Sequence, residues 1–358
     1  MKRNAIILTA GLLNDIHAKT AHGLIRGSDR FNIVGVIDSK FSGKDAGEIM
    51  DGTNRSIPVY DSIKSFRQNS EQPADDCIIG VATKGGIIPE EFRPIIKDAL
   101  QTRMGIISGL HHYVGEDPEF AELAKLHDVK IIDIRKPRPA SELAFWTGEI
   151  VNVRTPKIPV LGTDCALGKR TTTTFLKNLM VDKGYNAHMV YTGQTGWMLG
   201  IKHGFVFDST PNDFVSGELE DAILKCYKEE SPDVIFLEGQ SGLRNPSGPC
   251  GSEFIISANA DAVILIHNPN RKKFKGMESY PDNMPSPAEE IELIKILGAP
   301  TIGLALNTVG LDLNTAKQHQ TALEDELNIP VALPLEEGVE NLLPPILEEI
   351  TKYKINEN

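Results

Sequence analysis

Cysteine is scarce in this sequence and scattered. Cys77, Cys165, Cys226 and Cys250 form no C-x-x-C pair, which argues against a disulfide framework or a cysteine-built zinc site and fits a reducing compartment. The nine histidines make no metal-spaced cluster, so no metal site is expected. Positive charge is in deficit: 37 basic residues stand against 49 acidic ones, a net charge of −12. A nucleic-acid partner, which needs a basic face, is not expected. No apolar run reaches bilayer-spanning length, so no membrane partner is expected either. Met1-Lys2-Arg3-Asn4 and the apolar residues up to Leu13 imitate a secretory signal without an A-x-A-like cleavage site. Ala5–Ala10 reads as a buried first strand instead, and the protein as cytoplasmic. Internal repeats are absent too.

What is present is ordinary globular material, 41% hydrophobic and 24% charged residues, ample for buried cores. At 358 residues two domains are the natural expectation. In the N-terminal portion strands are predicted at Ala5–Thr9, Ile33–Asp38, Cys77–Ala82, Gly105–Ser108 and Val129–Ile134. Helices are predicted between them at Ile16–Arg26, Pro89–Gln101 and Pro118–His127. Continuous apolar strands separated by helices require a parallel sheet covered on both faces. Residues 136–159 break the rhythm with Lys136-Pro137-Arg138-Pro139, a short helical patch around Phe145-Trp146, and Thr155-Pro156-Lys157-Ile158-Pro159. This stretch reads as an inter-domain connection.

A second α/β series starts at Val160. Its strands are predicted at Val160–Gly162, Ala187–Tyr191, Val234–Leu237, Ala262–His267, Thr301–Leu306 and Pro330–Ala332. Helices follow at Thr171–Lys183, Asp213–Lys228, Pro287–Leu297, Thr315–Leu327 and Leu342–Lys354. The expected fold class is α/β: a Rossmann-like parallel-sheet domain over 1–135, the connection over 136–159, and a P-loop NTPase-like parallel-sheet domain over 160–358.

The strongest chemical signal is Gly162-Thr163-Asp164-Cys165-Ala166-Leu167-Gly168-Lys169-Arg170-Thr171, placed between a strand and a helix. Its glycines let backbone N–H groups curl around phosphate oxygens, and the helix N-terminus adds the equivalent of roughly half a positive charge. Lys169 supplies a full one. Five residues separate the glycines where the usual loop has four, as in G-T-D-x-x-x-G-K-T loops of the dethiobiotin-synthetase type. Arg170 stands where a Ser or Thr normally holds Mg²⁺; either Thr171 or Thr172 takes that task, or the guanidinium binds phosphate without a metal.

Other polar groups fall at the same carboxyl edge of the sheet, where ligands bind in such folds. Glu238 ends an apolar strand, as in a Walker-B arrangement, and is a metal partner through water or a proton acceptor. Gln194 and Thr195 lie in the glycine-rich Thr192-Gly193-Gln194-Thr195-Gly196. Arg271-Lys272-Lys273-Phe274-Lys275 carries four cations in five residues, suited to a polyanionic ligand. Arg244 is a candidate carboxylate clamp. In the N-terminal domain Asp38 sits where a dinucleotide-binding fold places its ribose acid, yet Ala10-Gly11-Leu12-Leu13-Asn14 lacks G-x-G-x-x-G; a Rossmann-like fold without dinucleotide is expected.

Taken together, Gly162–Thr171, T-G-Q-T-G at Thr192–Gly196, N-D-F-V-S-G at Asn212–Gly217 and L-E-G-Q at Leu237–Gln240 resemble a family catalogued as a domain of unknown function. In that family a P-loop domain follows a Rossmann-like one, and some members are D-glutamate N-acetyltransferases using acetyl-coenzyme A. The resemblance implies an N-acetyltransferase acting on an amino acid, with Gly162, Thr163, Cys165, Ala166, Leu167, Gly168, Lys169, Arg170, Thr171 and Thr172 around the coenzyme A phosphates. Glu238 or Asp164 is then the base for the amine, and loop N–H groups or Gln194 stabilise the oxyanion. Thr195, Asp213, Ser216, Gln240, Arg244 and Lys273 are the substrate-side candidates, with Lys202 as a further cation. The alternatives are an ATP- and Mg²⁺-dependent carboxylate-activating enzyme, with Thr171 on the metal, and a nucleotide-binding regulatory module. A small-molecule substrate and a homo-oligomer are expected.

Overall fold

The structure, a computed structural model, describes residues 2–355, which form two compact units. One comprises the chain up to Arg138 together with Gln194–Ile201; the other comprises Pro139–Gly193 and the chain from Lys202 onward. Among the described residues, no helix is long and apolar enough to cross a membrane.

The first unit is built on a six-stranded sheet of β1 (Arg3–Leu8), β2 (Phe31–Ile37), β3 (Val59–Tyr60), β4 (Asp76–Ile79), β5 (Gly105–Ser108) and β6 (Ile131–Asp133). Their order is β3-β2-β1-β4-β5-β6, and all neighbours run parallel. Ala5, Ile6, Ile7 and Leu8 are all fully buried, the unbroken pattern of a central strand covered on both faces. Phe92, Phe120 and Met198 join the same core. The helix Pro118–His127 starts where its sequence says it should: the Asp117 carboxylate accepts from Glu119 N and Pro118 fills the first turn. The structure adds β3 and the helices Ala46–Asp51 and Ile63–Asn69, for which no element was expected. Gln194–Leu199, expected as a glycine-rich strand exit, is an α-helix.

The second unit is a seven-stranded parallel sheet of β7 (Lys157–Gly162), β8 (Ala187–Tyr191), β9 (His203–Gly204), β10 (Val234–Glu238), β11 (Val263–His267), β12 (Thr301–Leu306) and β13 (Val331–Ala332). The order is β13-β12-β11-β7-β10-β8-β9. Strand periodicity divides its core in two. Leu161, Ile235, Leu237, Val263, Leu265 and Leu304 pack against the helices Asn212–Glu230, Pro287–Leu297 and Leu313–Leu327. The alternate residues Val160, Val234, Phe236, Ile264, Ile266 and Ala305 pack against Lys169–Asp182 and Leu343–Ile355.

β7 starts three residues earlier than expected. Lys157, fully buried, pairs at 2.9 Å with Asp261, so a lysine and a proline, Pro159, that read as linker are part of the central strand. The helical patch expected around Phe145-Trp146 is irregular chain between the 3-10 turns Ala140–Glu142 and Glu149–Asn152. Buried carboxylates bind its main chain instead: Ala144 N donates to Glu218 at 2.8 Å, and Thr147 N and Ile150 N donate to Glu220.

Candidate functional site

β7 lies between β10 and β11, so its carboxyl end opens between two neighbouring strand exits. From Gly162 the chain turns through Ala166 (φ +51°) and Gly168 (φ +99°) into the helix Lys169–Asp182. The left-handed Gly168 ends the curl, and Gly162 leaves room for Lys169, whose Nζ would stand 3.3 Å from a Cβ there. The first N–H groups of the helix have no acceptor within it, as at helix N-termini that bind anions. Lys169 Nζ donates to Asp164 O at 2.7 Å and to Ser241 O at 2.6 Å. Two of its three N–H bonds are thus used on the protein. Burial pushes this ammonium down to about 8, with the nearby Cys165 and Asp164 opposing.

Asp164 organises the loop. Its Oδ1 accepts from Cys165 N at 2.6 Å and Asn245 Nδ2 at 2.7 Å; its Oδ2 accepts from Arg271 Nη1 at 3.0 Å and Lys275 N at 2.8 Å. The carboxylate is fully buried, and four donors occupy it. Arg271 Nη1 also donates to Cys165 O at 2.7 Å. Asn307, after β12, donates to Leu167 O at 3.0 Å. Thr163 Oγ1 lies 3.0 Å from His267 Nδ1, and burial, then the charges of His319 and Arg271, lower that imidazole to about 4. Asn245 and Asn307 were not anticipated, because their partners are 81 and 140 residues away.

At the end of β10, Glu238 is buried and accepts from Thr192 N at 3.1 Å. Burial raises its pKa above the carboxylate norm, against the Arg170 charge and the Thr192 and Gly193 N–H groups. Gln240 Nε2 donates to Thr192 Oγ1 at 2.9 Å, and that hydroxyl donates to Glu238 O at 2.5 Å. Thr192 thus links Glu238 to Gln240, and the charges of Arg170 and Lys169 act on Glu238. Thr172 is buried in the first helical turn, and Thr171 beside it is half-buried.

The remaining candidates have other partners. Gln194 and Thr195 belong to the first unit, where Gln194 Oε1 accepts from Arg135 at 2.9 Å and Thr195 Oγ1 lies 3.3 Å from Thr20. Asp213 is exposed in the first turn of its helix, and Ser216 Oγ pairs with Ser257 at 2.9 Å. Lys273 Nζ donates to the carbonyls of Tyr280, Pro281 and Asp282, stitching its own loop. Arg244 Nε donates to Glu290 at 2.9 Å. Lys202 lies 2.6 Å from Glu230 and 2.9 Å from Glu229. Those two carboxylates and His203 form a metal-type cluster among the described residues, and the Lys202 ammonium is the cation against it. Asp38, in the first unit, is committed to Thr9 Oγ1, Leu13 N and Lys40 N.

Residues 144–343 match the P-loop domain of the DUF1611 family, described as a domain of unknown function, and residues 39–137 match its Rossmann-like N-terminal domain. A DUF1611 family protein from Anabaena variabilis ATCC 29413, solved by crystallography, superposes with a TM-score of 0.87 at 27% identity over 97% of this chain and 100% of that one. Two curated relatives are named D-glutamate N-acetyltransferase. One, from a Pseudoalteromonas species, is 27% identical over 74% of this chain and 79% of its own. The other, from Tritonibacter scottomollicae, is 27% identical over 75% and 80%. With both domains matched in order, and an all-parallel sheet observed in each, this chain belongs to the DUF1611 family.

Proposed function

We propose that this protein is an N-acetyltransferase that moves an acetyl group from acetyl-coenzyme A to the amine of an amino acid, D-glutamate first among them. The observation that carries this reading is the pairing of a phosphate loop bearing Arg170 in the metal-hydroxyl position with a buried carboxylate, Glu238, whose pKa is raised. The two relatives named D-glutamate N-acetyltransferase support the reaction class and the acceptor. The loop fits coenzyme A phosphates: the N–H groups of the first helical turn, the third N–H of Lys169 and the Arg170 guanidinium suit phosphate oxygens without a metal.

Acetyl-coenzyme A supplies a thioester-activated acetyl group. The protein must then supply a neutral amine, and Glu238 is the proton acceptor best placed by burial and charge. A carboxylate with a raised pKa takes a proton from an ammonium more readily than an exposed one. Its tie to Thr192 N fixes its position. Asp164, with both oxygens filled by four donors, holds the loop in shape.

The test is release of free thiol and formation of an N-acetyl product from acetyl-coenzyme A with D-glutamate, L-glutamate and no acceptor. Turnover with D-glutamate supports the proposal. Thiol release that is equal with and without acceptor contradicts it.

A further inference from the structure

The Arg244–Glu290 pair has features of a substrate reader. Arg244 lies on the segment after β10, between two residues that touch the phosphate loop. Ser241 O accepts from Lys169, and Asn245 Nδ2 donates to Asp164. Gly242 is packed so closely on Gly162 that a Cβ would stand 2.9 Å from its carbonyl oxygen. Arg244 is therefore held at the rim of the loop, and 37% of its side chain is exposed.

Glu290, from the helix Pro287–Leu297, directs it. Its Oε2 accepts from Arg244 Nε at 2.9 Å, while Oε1 is buried near Leu243 without a well-formed hydrogen bond. Burial raises the carboxyl's pKa, and Arg244 opposes. A buried carboxylate with an unsatisfied oxygen is a poor device for stability alone. Glu289 cannot share the task, because its Oε2 closes the capping box with Ser286 and lies 3.8 Å from Arg244. With Nε tied, Nη1 makes no hydrogen bond among the described residues, which leaves donors for a planar carboxylate. Arg170 and Lys169 are the cations acting most strongly on Glu238. Arg244 is not among the groups acting most strongly on Glu238, which suits it to the carboxylate more distant from the amine.

We propose that Glu290 aims Arg244 at the side-chain carboxylate of a dicarboxylic amino-acid acceptor, making the pair the determinant of specificity for that substrate class. This rests on the acyl-transfer reading. Arg244 binds substrate; Glu290 is a positioning residue acting through it.

The experiment compares kcat/KM for D-glutamate with that for D-glutamine, which differs by a carboxamide. The wild-type ratio is expected to exceed roughly 100. Arg244→Met should bring it close to one, and Glu290→Gln should lower it at least roughly tenfold, through KM for D-glutamate. Glu290→Asp should restore most of the preference. Near-UV circular dichroism confirms that each variant is folded. A ratio unchanged in Arg244→Met and Glu290→Gln, or a wild type that uses both acceptors alike, overturns the inference. A wild type active on neither acceptor ends the acyl-transfer reading instead. The pair is then judged by calorimetry with glutarate: binding weakened by both substitutions supports the pair, and unaltered or absent binding overturns it.

Discussion

Lys169 Nζ lies 2.6 Å from the carbonyl oxygen of Ser241, so the cation of the phosphate loop is held by the segment that leaves β10. The same ammonium donates to Asp164 O. The lysine is buried before any ligand arrives, and its proton is held less tightly than that of an exposed lysine.

A pH dependence follows. With the Lys169 pKa lowered to about 8, anion affinity should be full below pH 8 and fall as the ammonium deprotonates above it. A bound phosphate favours the charged form, so binding near pH 8 should take up protons, measurable by calorimetry in buffers of different ionisation heat. Lys169→Arg should remove the step. For stability the sign is opposite. The unfolded chain keeps this proton to about 10.5, so the penalty of the buried charge is present below pH 8 and fades as pH rises towards 10.5.

Asp164→Asn should damage the fold more than a surface change would. It removes the charge that Arg271 faces at 3.0 Å and exchanges one acceptor oxygen for a donor among four donors. Breaking one side of such a buried pair costs about 3 kcal/mol. Differential scanning calorimetry should show the loss as a drop of roughly 6–12 °C in the transition of that unit.

Glu238→Gln separates binding from turnover. The amide keeps the size and the acceptor for Thr192 N, yet cannot accept the amine proton. Coenzyme A affinity should be retained, while kcat falls roughly 10²–10⁴-fold. In the wild type, kcat should rise with pH along a limb set above the ordinary carboxylate value, because burial raises this pKa. Loss of that limb in the variant, measured by steady-state kinetics, checks the assignment.

The sequence made the alternation of strands and helices legible, because buried parallel strands are apolar throughout and helix starts carry their own caps, such as Ser286 before Pro287–Leu297. The phosphate loop was legible from seven consecutive residues, Gly162 to Gly168, and the lysine after them. The region around 46–69 was not, since its helices are only 6 and 7 residues long. Phe145-Trp146 looked helical because Glu218 and Glu220, which bind that stretch in irregular form, lie more than 70 residues along the chain. Non-local carboxylates also explain Lys157: without Asp261 a lysine reads as linker. The same limit hid the partners of Asp164, which come from Asn245, Arg271 and Lys275.

Arg170→Ser restores the hydroxyl of a metal-binding phosphate loop. Loss of the guanidinium should weaken coenzyme A binding roughly tenfold, without creating Mg·ATP affinity, as followed by calorimetry. A gain of tight Mg·ATP binding would count against the coenzyme A assignment.

The most direct measurement is calorimetric titration of the full chain with acetyl-coenzyme A and, separately, with ATP plus Mg²⁺. Acyl transfer requires saturable binding of acetyl-coenzyme A without metal, abolished by Lys169→Ala, and no comparable binding of Mg·ATP. Binding of Mg·ATP alone would contradict it and point to carboxylate activation.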